Sequence, residues 1–496
     1  MKKFENNSAA LNLIRSDFIG LDTKYIQADG EKTQRIYLDS TASTLMMGAA
    51  HDAVEEFYKH YANTHSLLHF SAKIATLEYR RAHQRILSFL NADPDTYACF
   101  FTGSGATAGI NRLARTFRNY RTDRNIALVS LMEHHSNDLP HRKHAQNVIH
   151  IPLNDHDGNP GCIDIDILEK ELKNNQGRVN YVAMTGVSNV TGIINPIYDI
   201  AELAHKYGVL IMVDGAQMAA HMPVKVSGHK NPARNLDAFV FSGHKTYVPG
   251  SPGVVICRKD ILQTMEPEEV GGGMVDRVNV GYYTILNSFP EREEAGTPNI
   301  PGAIGLSAAI EVLNRIGMET IYEDETELIN FSLEQIKNIP DVVIYGVTDN
   351  KICPRAASIS FNIKGMDHGL TAAILNDYFN IAVRNACFCA HPYVRNMIAG
   401  SHVNPTSSFE EDEYDPTFRL KTGMVRASFG IYSTLEDIEA LVTALKKIVA
   451  DRDKYISNYK IDLDVKLDSN YIHKTFISDV YNEFSVNDFI DQYFSE

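Results

Sequence analysis

Short uncharged apolar runs alternate with amphipathic stretches through the first 300 or so residues. The runs IALVSL (126–131), YVAMTGVS (181–188), VLIMVDGA (209–216), AFVFSG (238–243) and GVVICR (253–258) are rich in β-branched residues and carry charge only at or near their ends. Such runs predict strands buried on both faces. Between them, LEKELKNN (168–175) and PIYDIAELAHKYG (196–208) have helical spacing. In the second, Ile197, Ile200, Ala201 and Ala204 share a face, and Gly208 supplies a stop. This alternation predicts an α/β fold, a large and mostly parallel sheet flanked by helices.

Past residue 300 the texture changes. Helical patterns at 303–316 and 325–339 precede AASISFNI (356–363), the apolar helix LTAAILNDYF (370–379), IAVR (381–384), VRASFGIY (425–432) and the helix LEDIEALVTALKKIVA (435–450). These predict a smaller α+β unit. The expected organisation is an N-terminal arm (1–30), a large domain (31–300), a small C-terminal α+β domain (301–450) and an extension of unassigned role (451–496). Within the small domain, the insertion 398–422 holds Glu410, Glu411, Asp412 and Glu413 and is expected to be a surface loop.

Composition narrows the function classes. Of 496 residues, 44% are hydrophobic and 22% charged, which excludes a mainly disordered, collagenous or disulfide-scaffold protein. The formal charge is −15, from 47 basic and 62 acidic residues, and argues against nucleic-acid binding. Six scattered cysteines suit a reducing compartment. No apolar run approaches the roughly 20 residues of a membrane span. The N-terminal MKKFENNSAALNLIRSDF lacks the apolar core of a signal peptide, so a cytoplasmic location and no membrane association are expected.

Candidate chemistry sits at strand ends. FTGSGATAGIN (101–111) places small residues before a helical run, where backbone N–H groups could hold an anion such as phosphate; a tight turn would look the same. Asp214 closes a very apolar run, where it must be paired or hydrogen-bonded, either in a crevice or as a helix cap. Lys245 follows another buried strand in FSGHK (241–245); desolvation there would free a neutral amine for imine chemistry, whereas a surface lysine is the plainer reading. EHHSN (133–137) could offer metal ligands, with His141 and His144 nearby, or an imidazole facing a flat ring; its spacing matches no helix-borne metal motif, and no metal is expected.

Taken together, YLDSTAST (37–44), GSGATAGIN (103–111), EHHSN (133–137), VSNVTGIINP (187–196), VDGAQ (213–217), FSGHK (241–245), EAGTPNIPGAIG (294–305) and VRASFGIYST (425–434) resemble the class V aminotransferase family of fold-type I pyridoxal 5'-phosphate (PLP) enzymes. Within it they look most like the cysteine desulfurase and selenocysteine lyase branch, over roughly residues 35–450. The resemblance implies that Lys245 carries PLP and moves protons, that Asp214 pairs with the ring nitrogen, and that Asn189 and Gln217 bond the ring oxygen. It implies that His134 stacks on the ring, and that Ala106, Thr107, Ser242 and His244 hold the phosphate. Thr297 would reach the phosphate of a neighbouring subunit in a homodimer, and Arg426 would clamp the substrate carboxylate.

Sulfur chemistry points to RNACFCAHP (384–392), where Cys389 falls at the position of that branch's persulfide-forming cysteine, with Arg384 and His391 nearby. Read without the resemblance, Cys387 and Cys389 could equally bind a metal, form a redox pair or fill space. Cys99, Cys162, Cys257 and Cys353 read as inert. The branch's familiar Arg-Thr-Gly-x-x-Cys loop is Arg-Asn-Ala-Cys-Phe-Cys here, closer to molybdenum-cofactor sulfurases. The expected reaction is removal of sulfur from L-cysteine to give alanine, through a Cys389 persulfide passed to a sulfur-acceptor protein. The alternative is another class V enzyme (selenocysteine lyase, epimerase or aminotransferase) acting on a different amino acid.

Overall fold

The computed structural model describes residues 7–356, 358–400, 422–461, 471–477 and 484–495. Its principal sheet has seven strands, numbered here in chain order: β1 (Tyr97–Thr102), β2 (Ile126–Ser130), β3 (Asn147–Ile151), β4 (Val179–Thr185), β5 (Leu210–Asp214), β6 (Ala238–Ser242) and β7 (Gly253–Arg258). Their spatial order is β1-β7-β6-β5-β4-β2-β3, and β7 alone runs against the rest. Both faces are covered. Phe101, Leu128, Val182, Ile211, Phe239 and Ile256 pack on one side. Phe100, Ala127, Ala183, Met212, Val240 and Val255 pack on the other. That double burial is why these strands carry no charge until their ends, where side chains emerge into a crevice.

A second sheet is antiparallel, in the order β8-β9-β11-β10: β8 (Val342–Ile344), β9 (Ser358–Ile363), β10 (Arg384–Ala386) and β11 (Met424–Ser428). Its inner residues Ile359, Phe361, Val425 and Ala427 bury against Ile374, Leu375, Leu441 and Leu445 of helices His368–Phe379 and Leu435–Ala450. The second helix starts at a capping box, with the Thr434 N–H donating to Asp437 Oδ2 at 2.9 Å. Residues 36–37 pair in parallel with 381–382, and Asp39 bridges to Ser428, so an N-terminal segment runs alongside the second sheet.

Two elements escape the polarity pattern. Helix Phe70–Phe89 buries Ala72, Ala75, Thr76 and Ala82 together with Tyr79 and His83, and its large aliphatic and phenyl side chains are buried only in the last turn, so its apolar stripe is faint. The hairpin of Val275–Asn279 and Tyr282–Ile285 is largely exposed on both faces. Residues 401–421 of the acidic insertion lie outside the described residues. In the C-terminal extension, the hairpin Tyr459–Ile461 with Tyr471–His473 docks on helix His368–Phe379, where Tyr378 Oη and His473 Nε2 are 2.7 Å apart. Among the described residues, no helix is long and apolar enough to cross a membrane.

Candidate active site

A cleft of about 540 Å³ opens at the carboxyl ends of β4, β5 and β6, and its walls include Ala106, Thr107, His134, Asn189, Asp214, Gln217, Ser242, His244 and Lys245. Sequence positions spread over 140 residues thus converge because parallel strands deliver their last residues to one edge.

Asp214 ends β5 and is buried; Oδ1 accepts the Ala216 N–H at 2.9 Å. Burial raises its pKa, against the opposing pull of the Ala216 N–H and the Lys245 charge. Gly215 lets the chain turn over Phe239, whose Cζ would lie 1.9 Å from an added Cβ. Lys245 sits in the 3₁₀ turn Gly243–Lys245 that follows β6. Burial pushes its amine down to about 8, while the Asp214 carboxylate pulls the other way.

The segment expected to hold an anion leads into the N-terminus of helix Gly105–Tyr120, whose first turn contains no acid. Gly105 has φ +57°, and an added Cβ would meet Ser242 Oγ at 2.8 Å. The Ala106 N–H donates to Ser242 Oγ at 2.8 Å, and Thr107 Oγ1 shares a 2.7 Å hydrogen bond with Ser136 Oγ. Burial and the Lys245 charge hold the pKa of His244 down to about 4.

His134 is fixed by its Nδ1, which accepts the Ser136 N–H at 3.1 Å; burial and Lys245 lower its pKa to about 3, so the ring is neutral near pH 7. Its neighbour Glu133 anchors the turn, accepting from the Ser130 hydroxyl, Asn137 Nδ2 (2.6 Å) and the Thr185 N–H (2.8 Å). His141 is used structurally, with Nδ1 3.0 Å from Tyr181 Oη and Nε2 3.0 Å from Asn137 Oδ1. Among the described residues, no group of three or more His, Cys, Asp or Glu is arranged to hold a metal.

Asn189 links the cleft to the second sheet: its Nδ2 donates to the Phe388 carbonyl at 2.7 Å, and its own carbonyl accepts Arg426 Nη1 at 2.7 Å. Arg426 is buried on β11 beneath the Phe388 ring, 4.7 Å from its centroid, and its charge is felt at Lys245. Arg384 lies opposite Arg426 in register but is 56% exposed. Cys389 is exposed on a turn in which Phe388 and Cys389 have φ +51° and +54°. Cys387 points inward, donating to the Thr422 carbonyl at 2.9 Å, and burial raises its thiol to about 11. Of the remaining thiols, Cys162 and Cys353 touch at 3.5 Å in the interior.

Thr297 is not in this cleft. It is exposed on an adjoining cavity of about 480 Å³ that shares Gly103 and Ser104, and accepts Asn63 Nδ2 at 3.3 Å. One residue that the pattern reading did not single out is Asp39, which faces both Arg426 and Arg384. Its only signal was an acid inside the YLDSTAST segment.

The groups present suit a phosphate-bearing aromatic aldehyde. The buried Gln217 Oε1 has no hydrogen-bond partner while its Nε2 donates to the Thr41 carbonyl at 2.8 Å, the Gly105 cradle leaves no room for a Cβ, and a lysine of depressed pKa faces a buried carboxylate. An open α/β sheet with this strand-end set defines a fold-type I PLP-dependent enzyme.

Residues 36–441 match the family model of class-V aminotransferases, and the chain belongs to that family, on its cysteine desulfurase branch. It is 35% identical over 419 residues to a cysteine desulfurase of Shigella flexneri, covering 83% of this chain and 93% of that protein. It is 34% identical over 442 residues to one of Klebsiella pneumoniae, covering 88% and 97%. The apo structure of a cysteine desulfurase from Thermococcus onnurineus NA1 superposes with a TM-score of 0.73 at 28% identity, over 88% of this chain and 98% of that one. The Escherichia coli cysteine desulfurase CsdA, in an S-sulfonic acid form, gives 0.70 at 29% identity over 90% and 98%.

Proposed function

We propose that this chain is a PLP-dependent cysteine desulfurase that converts L-cysteine and the Cys389 thiol into L-alanine and a Cys389 persulfide. The observation that carries this reading is that Asn189, in the wall of the cleft lined by Asp214 and Lys245, donates to the Phe388 carbonyl at 2.7 Å, so the loop bearing the exposed Cys389 thiol abuts that cleft.

Lys245 would carry the cofactor, Asp214 would meet its ring nitrogen, and His134 would lie on its face. Gln217 and Asn189 would bond its ring oxygen, while Ala106, Thr107, Ser242 and His244 would take its phosphate. Bound there, PLP supplies an electron sink for charge developing at the substrate Cα. Arg426 holds the α-carboxylate with a planar guanidinium already fixed by Asn189 and Phe388, with Arg384 beside it. Lys245 takes the Cα proton and returns one to the product carbon. The Cys389 thiolate attacks the substrate sulfur; an S–S bond forms as the C–S bond breaks, and the electron pair stays with carbon. Exposure of Cys389 leaves the resulting persulfide open to a sulfur-acceptor protein in the cytoplasm.

A homodimer is part of the proposal. Thr297 faces outward rather than into its own cleft, and the large side chains Leu68 (98% exposed) and Phe70 (89%) are left uncovered. The test is incubation with L-cysteine while alanine, keto acids and sulfide are followed together. Equal alanine and sulfur support the reading; a keto acid in place of alanine contradicts it.

A further inference from the structure

Arg384 and Arg426 stand directly opposite each other on adjacent strands β10 and β11. Two guanidinium groups so placed repel, and a single carboxylate meets both: Asp39 Oδ1 lies 3.3 Å from Arg426 Nη2, and Oδ2 lies 3.7 Å from Arg384 Nη1. Asp39 comes from the N-terminal segment beside β11, and its side chain is 15% exposed, so it is not sealed off from solvent. Arg426 Nη1 is held by the Asn189 carbonyl and Nε is buried without a partner, which leaves Nη2 as the edge that Asp39 occupies.

We infer that Asp39 is a positioning and specificity-determining residue: the resident counter-ion of the Arg426–Arg384 pair, which an incoming α-carboxylate must displace or share. The inference rests on the reading of Arg426 as the carboxylate site. A ligand held by its carboxylate alone exchanges one anion for another and gains little. An amino acid also attaches through its amine elsewhere in the cleft, and that second attachment drives the exchange. Asp39 thereby favours amino acids over the simple carboxylates abundant in a cell, and keeps both arginines aimed while the site waits.

The probe is 3-sulfanylpropanoate, which is L-cysteine without its amine, titrated calorimetrically into the holoenzyme. Asp39→Asn keeps the side chain's size and removes its charge, so the variant is expected to bind the probe about tenfold more tightly than the parent, the effect of one screened charge at contact distance. Asp39→Glu restores the charge and is expected to bind it within about twofold of the parent. For L-cysteine, Asp39→Asn is expected to lower kcat through lost aim without raising KM, and Asp39→Glu to recover kcat. Probe binding that is unchanged or weaker in Asp39→Asn overturns the inference, because a purely structural role would loosen Arg426 and weaken every anion. Adding Arg426→Ala to Asp39→Asn is expected to abolish the gain. A gain that survives it contradicts the assignment of Arg426 itself, a different failure from that of Asp39.

Discussion

The His135 N–H donates to the Cys389 carbonyl across 2.7 Å, tying the loop that bears the exposed thiol to the strand end that also presents His134. The His391 N–H reinforces the tie by donating to His135 Nε2 at 3.3 Å, with the two rings packed edge to face at 4.7 Å. The thiol therefore stands on a braced turn rather than a free loop. Cys389→Ala is expected to keep the parent's cofactor absorbance while forming no persulfide and little alanine; mass spectrometry after a single addition of L-cysteine reads the missing sulfur. Cys387→Ala, which removes an inward-facing thiol, is expected to keep persulfide formation.

The proposed phosphate cradle makes a sterically defined prediction. Gly105 combines φ +57° with a Cβ position 2.8 Å from Ser242 Oγ, the atom that also accepts the Ala106 N–H. An L side chain in the left-handed region costs about 1–2 kcal/mol, so Gly105→Ala is expected to weaken PLP binding by roughly tenfold. Equilibrium titration of the apoprotein with PLP measures it.

Lys245 gives the pH dependence. Burial disfavours its ammonium form and lowers the pKa to about 8, so the neutral amine needed for condensation accumulates as pH rises through 8 instead of near 10.5. The rate of PLP uptake by the apoprotein is expected to climb up to about pH 8 and then level off. The Asp214 carboxylate raises the pKa of Lys245, so Asp214→Asn is expected to move the inflection lower. A rate still climbing at pH 10 would contradict this picture of the amine.

Gly215 gives a stability prediction. The Cβ of Gly215→Ala would lie 1.9 Å from Phe239 Cζ inside a fully buried core, and overpacking of this kind costs about 1–3 kcal/mol. The urea midpoint is expected to fall accordingly, and to recover in part when Phe239→Leu is added.

Much of the cleft was readable in the sequence because of where charge stops. Asp214, Lys245 and His134 each follow an uncharged run, and a parallel sheet covered on both faces exposes little except its carboxyl edge. Strand and helix signals were strong where apolar periodicity was strong, as at Leu435–Ala450, and failed at Phe70–Phe89, whose buried face mixes alanines with Thr76, Tyr79 and His83. The Arg426–Asp39 contact joins residues 387 positions apart, and no local pattern reports such a meeting. The same holds for His135 and Cys389. Thr297 was singled out only through family likeness, and within the chain it stands outside the cleft.

The most direct measurement is borohydride reduction of the protein after incubation with PLP, followed by proteolysis and mass spectrometry of the peptides. A reduced pyridoxyl group on Lys245, absent when Asp214→Asn and Lys245→Ala are combined, is the expected result. Labelling of other lysines with Lys245 left unmodified would contradict the account.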